Sequence, residues 1–527
     1  MSKSLPLLRG SISLKSALEN DDNILQELSY PDQRIDFFVY LFARRREIEA
    51  TVSYHLGFGV DMCRMGGVDE WIAGSFNVCI PIYIDKRAKH HARRVLIRLP
   101  LPYKVGESKH PGNAEEKLRC EAAAFIWIQE NCPTVPIPYL WGFGFPGGRS
   151  FTTPNKMPFH ARLMWYVRRA VLSLFRYPRP CRYIGHTCPH ALGVGYLIMD
   201  YIEESDGKML SESWEQLRHD YDRRTNLFRS LSRIILSLAQ LPLPRIGSLT
   251  IDDRGVLALS NRPLTLRLHH LENEGVKTNI DRDLTYSTTE SYLLDLLACH
   301  DSRIRFQPNS IRDEYDGRAQ MAVIAAMRAI YPHFTSRDVR HGPFIFNLTD
   351  LHQSNIFVDD DWNVKFLVDL EWSSSLPIEM LHPPYWLTSR GVDQLPKGEY
   401  LDAYSSVHEE FMTAFEEEEA LLPPTNGGPL SHIMRRGWKI GNFWYFQALE
   451  SPKGLCNMFL QHIQPKFEES HCDNPIFDDV VAPYWGVDAA EVISKKLKDK
   501  EVYDDQLRKA FENVVEEPKD SNSDEGG

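Results

Sequence analysis

No two of the nine cysteines form a C-x-x-C pair. Their odd number in a chain of 527 residues points to reduced, buried thiols rather than a disulfide framework. No run approaches the roughly eighteen apolar residues of a membrane span, and the N-terminus lacks a signal-peptide core. A transmembrane segment is therefore not expected, and the chain reads as cytoplasmic. Lys3, Arg9 and Lys15 precede the first acid, Glu19, in a faint targeting pattern that the stretch 5–8 (Leu-Pro-Leu-Leu) breaks. There is no G-x-S-x-G elbow and no H-E-x-x-H helix, so α/β-hydrolase and zincin chemistry gain no support. Internal repeats are absent too. Acid is locally missing: residues 131–199 contain no Asp or Glu, but one Lys and seven Arg.

What is present is ordinary for a folded protein. Apolar residues make up 43% and charged residues 25%, enough for a sizeable core. The length suits two to four domains or one large two-lobed unit. A net charge of −12 argues against a surface devoted to nucleic acid, a local basic patch aside. That patch is 159–177, where arginines alternate with Trp165, Tyr166, Leu172 and Phe175. It suits contact with an anionic surface or a protein through residues 156–182. The blander reading, which composition favours, is an insertion packed on the acidic remainder of the chain.

Periodicity gives the elements. Phe37, Leu41, Ile48, Val52 and Leu56 predict a helix over 36–56. Residues 76–84 and 95–99 read as strands joined by a basic tip that includes Lys86, Arg87 and Lys89. A helix over 114–130 presents Leu118, Glu121, Phe125 and Ile128 on one face and stops at Cys132-Pro133. A broken Pro- and Gly-rich stretch then precedes a strand at 195–201. Helices follow over 227–241, 291–299, 319–330 and beyond 400, with a core-like aromatic cluster at Trp438, Phe443, Trp444 and Phe446. His408-Glu409-Glu410 reads as a solvated helix face, and 517–527 as a disordered acidic tail. The expected class is α+β, a small β-rich lobe before a large, mainly helical one. The boundaries are a helical extension 1–60, a β-rich lobe 61–203 with a basic insertion at about 146–192, a helical lobe 204–470, and a C-terminal helix with tail 471–527.

The stretch 344–372, FIFNLTDLHQSNIFVDDDWNVKFLVDLEW, carries the chemistry. Asp350 and Asn355 form a D-x-x-x-x-N pair, a weak signal alone. Two short apolar runs follow, separated by the turn residues 359–363, and the second ends at Asp369. This is a hairpin pattern, and a hairpin sets the outer ends of its strands side by side. Asn355 and Asp369 should then be neighbours, with Asp350 in the loop just before them. Three converging oxygen ligands suit Mg²⁺, and phosphoryl transfer needs such an ion beside a proton-accepting carboxylate.

On these residues the chain resembles the aminoglycoside phosphotransferase and choline kinase-like families, which share the protein-kinase fold. The stretches E-W-I-A-G-S-F-N, E-K-L-R-C-E-A and D-L-H-Q-S-N-I-F resemble a fungal branch of phosphotransferase-like proteins. The resemblance implies a two-lobed kinase-like fold and ATP- and Mg²⁺-dependent phosphorylation of a small hydroxylated acceptor. It implies Asp350 as catalytic base, Asn355 and Asp369 as metal ligands, and Glu371 in the acidic place of the family's I-D-W-E segment. It further implies a phosphate-covering loop at Gly74, Ser75 and Asn77, phosphate anchorage by Arg98 paired with Glu121, and an adenine-binding hinge around Met199 and Tyr201. Two departures stand out: Leu348 replaces a His that helps to fix the family's catalytic loop, and Arg98 replaces a Lys. Both keep open an alternative, a pseudokinase that binds nucleotide or a partner as a scaffold.

Cys181, His186, Cys188 and His190 lie close in sequence, but their spacing fits no standard zinc site. The stretch 382–386 (His-Pro-Pro-Tyr-Trp) suits either the wall of an acceptor pocket or a plug in the helical lobe.

Overall fold

The computed structural model describes residues 4–512 other than 89–92, 189, 191, 424–427, 452 and 472–474. The expected acidic tail lies outside the described residues, as do residues 89–92 of the basic tip. The fold is mixed α+β. One sheet dominates residues 63–200, with strand order Cys63–Met65, Asn77–Ile84, Arg94–Pro100, Tyr196–Asp200, Leu140–Gly144, Arg149–Thr152 and Ile184–Thr187. Ile72–Ala73 adds to the edge beside Asn77–Ile84. All its pairings are antiparallel.

Alternation along the strands decides what each face meets. Val78, Ile80, Ile82, Val95, Ile97 and Leu99 turn to one side, against Leu41, Ile48 and Val52 of the N-terminal helices. Leu140, Phe143, Leu197 and Met199 turn to the other, where the helix Asn113–Asn131 and the large helical core pack. Arg98 pairs with Cys79 and Leu197 in the ladder, so it belongs to this second face.

The structure corrects several expectations. The helix predicted over 36–56 is two helices, Tyr30–Ala43 and Arg45–His55, parted at Arg44 where φ/ψ leave the helical region at −100°/21°. The broken stretch after Pro138 contains the strand Leu140–Gly144. Its glycines hid it: a Cβ on Gly142 would lie 2.2 Å from His55 Nδ1, and one on Gly144 would lie 2.6 Å from the Tyr196 ring. The basic segment packs on the remainder only lightly, against the strand Ile184–Thr187. It forms the helix Phe159–Leu174, none of whose residues is buried. His408 is buried, not solvated, and stacks on Trp438 with ring centroids 4.2 Å apart.

Elsewhere the predicted elements are present, among them Tyr221–Ala239, Thr289–Phe306 and Glu314–Phe334. The C-terminal helix Ala489–Glu512 packs Tyr503, Leu507 and Phe511 against Leu5, Ile12, Ala17 and Ile24. The eight described cysteines are all free thiols. Among the described residues no helix is long and apolar enough to cross a membrane.

Candidate active site

The hairpin forms as its turn chemistry predicts. Ile356–Val358 pairs with Val364–Leu367, Ile356 opposite Leu367. The Val368 N–H donates to the Asn355 carbonyl (3.0 Å), which sets Asn355 beside Asp369. The Asn355 amide donates to the Asp350 carbonyl (2.8 Å), leaving its side-chain oxygen as the donor a cation can use. Asp369 takes φ = +60°, a left-handed conformation that Asp tolerates better than most residues.

Leu348 sits in a ladder of Phe344–Leu348 with Ser373–Pro377, opposite Ser373. The loop that follows is fixed without a histidine at 348; within it His352 Nδ1 accepts the Ser354 N–H (3.2 Å). The Thr349 N–H donates to the Trp372 carbonyl (3.1 Å), as does its hydroxyl, and Trp386 Nε1 donates to the Leu351 carbonyl (2.8 Å). Trp386 is thus a plug, whereas its neighbour Tyr385 lines the cavity that Asp350 faces.

Arg98 joins the sheet to this loop. It pairs with Glu121 (3.1 Å) and also with Asp369 and Glu371. Lys117, one helical turn before Glu121, completes the cluster: its Nζ donates to Asn77 Oδ1 (2.7 Å) and lies 3.3 Å from Glu371. The Asn77 amide donates to Glu371 as well (2.9 Å). Sequence reasoning missed Lys117. The signal was there, because Lys117 and Glu121 stand four apart on the face that also carries Phe125 and Ile128.

Four carboxyl groups (Glu121, Asp350, Asp369, Glu371) face two cations in this cluster, more acids than the cations can balance if all ionise. The protonation equilibria respond accordingly. Burial, then the charges of Glu371 and Asp369, push the Asp350 carboxyl up to about 7. Burial also raises Glu121, to about 7, with Arg98 acting against it. For Glu371 burial opposes the charge, but Arg98 and Lys117 outweigh it and hold the carboxyl below its usual range. Burial likewise opposes the charge on Arg98, and the surrounding acids more than offset it. A hard oxygen donor set whose carboxylates outnumber its cations fits a divalent cation such as Mg²⁺, whose charge would favour their ionised forms. Arg98 already contacts one of the proposed ligands, Asp369.

The remaining predicted residues lie nearby in the same sheet. Gly74 and Ser75 are exposed in the turn before Asn77–Ile84, with the Gly74 N–H donating to the Asn77 carbonyl (2.9 Å). Ser75 and Phe76 line a cavity of about 670 Å³ together with Thr349 and Asp350. Met199 is buried within the sheet strand Tyr196–Asp200, and the Arg94 guanidinium lies over the Tyr201 ring, 3.7 Å from its centre. Cys181, His186, Cys188 and His190 make no metal-like group. Among the described residues the one such group is Asp22, His270 and Glu274, on the wall of the same cavity.

No protein-family model matches the chain, and no curated protein matches it. Six solved chains match it, two of which are as follows. One is a thermostable mutant of an aminoglycoside phosphotransferase in ternary complex with AMP-PNP and hygromycin B, at 9% identity and TM-score 0.34 over 83% of this chain and 98% of that one. The other is an ethanolamine kinase of Plasmodium vivax, at 13% identity and TM-score 0.29 over 80% of this chain and 85% of that one. Likenesses at these TM-scores carry no weight for fold or activity.

Proposed function

We propose that the protein is an ATP- and Mg²⁺-dependent phosphotransferase of two-lobed, kinase-like build, acting on a hydroxyl of a small molecule. The observation that carries this reading is the convergence of Asp350, Asn355 and Asp369 at the feet of one hairpin, with Arg98 of the sheet on Asp369 and Lys117 of the helix Asn113–Asn131 on the neighbouring Glu371. Asn355 and Asp369 would hold Mg²⁺, which when bound neutralises phosphate charge and aligns the transferred group. Asp350 accepts the acceptor's hydroxyl proton at its carboxylate. Arg98 and Lys117 supply the cations that anchor the nucleotide phosphates, and Glu121 and Glu371 hold those two side chains in place. Met199 and Tyr201 lie at the C-terminal end of the central strand Tyr196–Asp200, which the adenine would meet, and Gly74 and Ser75 on the turn that would cover the phosphates.

The test is a thermal-shift titration with Mg·ATP, followed by a screen of metabolite extracts for ATP-dependent phosphate incorporation, with Asp369→Ala as the blank. Stabilisation by Mg·ATP is expected, since a ligand that binds only the folded state must raise its stability. Asp350→Asn should lose at least about a hundredfold in turnover while still binding Mg·ATP, the typical worth of a positioned base. Undiminished turnover would remove Asp350 from the mechanism.

The contact of Arg98 with Asp369 favours a second reading, a pseudokinase whose metal ligand is permanently taken by an arginine. A thermal profile indifferent to Mg·ATP, with no phosphate incorporated from any extract, selects it.

A further inference from the structure

Arg267 stands alone among the buried arginines of this region. Arg262, five residues earlier, is buried with its acids: it pairs with Glu116 at 2.8 Å and Glu272 at 2.6 Å. Arg267 opens the helix Leu266–Asn273, is only 7% exposed, and none of its three guanidinium nitrogens has a hydrogen-bond partner. It lines the 670 Å³ cavity that Asp350 also lines. Beside it on the wall, the Tyr292 hydroxyl is buried and unpartnered too. Glu450 shares the cavity but makes no ion pair with Arg267, and burial pushes its carboxyl up to about 7. Burial also draws the Arg267 guanidinium down to about 10, which still leaves it charged at neutral pH. An ionised group buried without partners is destabilising, and proteins ordinarily pair it.

We propose that Arg267 is an anion subsite: the cavity's ligand carries a carboxylate or phosphate that the guanidinium grips as a fork, with the Tyr292 hydroxyl donating alongside. The anion subsite stands by itself. That the same ligand also presents a hydroxyl to Asp350 rests on the phosphotransferase reading. Together they define the acceptor as a small hydroxylated anion rather than a neutral or cationic alcohol.

Thermal shifts of the full chain with D-glycerate, glycerol 3-phosphate, glycerol and choline test this. Saturable stabilisation by one or both anions, and none by glycerol or choline, is expected. The stronger of the two anions tells carboxylate from phosphate. In Arg267→Met the anion response should vanish and the Mg·ATP response persist, while the ligand-free melting temperature stays level or rises. An arginine with a purely structural role would lower it. A wild type indifferent to both anions, or an equal response in Arg267→Met, overturns the subsite. Should that variant fail to fold, Arg267→Lys keeps the charge without the fork: tenfold weaker anion binding supports the proposal and equal binding overturns it. Anion binding at Arg267 without any phosphate transfer would sink the phosphotransferase reading and spare this one. Transfer to neutral or cationic alcohols alone would do the reverse.

A different observation carries a second proposal. On the helix Phe159–Leu174, Phe159, Leu163, Val167, Val171 and Leu174 recur at helical spacing, and all are exposed, Phe159 by 70% and Leu174 by 78%. The inner side rests on half-buried Trp165 and Leu172. Arg162, Arg168, Arg169, Arg176 and Arg179 surround the apolar stripe, in the stretch of chain without acid. We infer that this helix lies in the headgroup plane of an anionic bilayer, its apolar stripe sunk toward the acyl chains. Two copies meeting on this face would bring like charges together, which disfavours self-association as its use.

Co-sedimentation of the full chain with vesicles of phosphatidylcholine, with and without about 30% phosphatidylserine, is the test. Binding should require the anionic lipid and fall at least tenfold in the triple variant Leu163→Gln, Val167→Gln, Val171→Gln, whose changes are at exposed or half-exposed positions that leave the core intact. No vesicle binding overturns the inference. So does a homodimer in solution that the triple variant dissolves.

Discussion

At the scale of single residues, the molecule places charge where burial makes it costly and offsets it unevenly. Breaking a buried pair typically costs about 3–5 kcal/mol, because the partner left behind is uncompensated. The cluster of Arg98, Lys117, Glu121 and Glu371 is therefore both a scaffold and a source of local polarity. Glu379 is a simpler case, away from the site. Its Oε1 accepts the Ser336 N–H (2.9 Å), its Oε2 is buried without a partner, and burial pushes the carboxyl up to about 7. A folded-state value above the unfolded one means the stabilising contribution is full below about 4.5 and lost as the pH rises through about 7. Glu379→Gln keeps the acceptor and removes the ionisation. It should melt higher than wild type at pH 8, by on the order of 2 kcal/mol in stability, and the two should converge near pH 4.5. A pH-independent difference would assign the effect to packing instead.

At the scale of elements, the strand Leu140–Gly144, which the sequence hid, approaches its neighbours closely. Tyr196 is held by His55 Nε2 (2.9 Å) and Ser150 Oγ (3.2 Å), so its ring has little freedom to retreat from a methyl group at position 144. Gly144→Ala should cost about 1–3 kcal/mol by overpacking, read from the midpoint of urea unfolding. Gly147→Ala, at a position with nothing within 4 Å of the added carbon, should stay within about 0.5 kcal/mol of wild type. Equal midpoints for the two variants would show that the sheet yields at Gly144. The hairpin below Asp350 was legible for the opposite reason: its turn residues and its alternating runs lie within a dozen positions of one another. The helix Phe159–Leu174 was legible as basic and aromatic, but the exposure of its apolar stripe was not, since the same amphipathic spacing marks helices that bury that stripe and helices that do not.

At the scale of the whole molecule, residues far apart in the chain are brought together twice over. The N-terminal segment and the C-terminal helix close on each other, the Ile24 N–H donating to the Tyr503 hydroxyl (2.8 Å). Arg98 meets Asp369 across 271 residues of chain. Charge is divided as well. The chain as a whole is at −12, whereas its longest acid-free stretch carries the exposed apolar helix. Such a division would orient the molecule near an anionic surface, turning this face inward and the acidic remainder outward.

The sequence by itself determined the α+β class, most helices, the hairpin, and the adjacency of Asn355 to Asp369 beside Asp350. These follow from spacing and turn chemistry, which act over a few neighbouring residues. Only the tertiary structure decided that Lys117 joins Arg98, that Glu371 is shared between them, and that Arg267 is left without an acid while Arg262 has two. A buried charge is answered, or left unanswered, by whichever side chains the packing of distant elements brings within a few ångströms, and no local pattern in the chain records that.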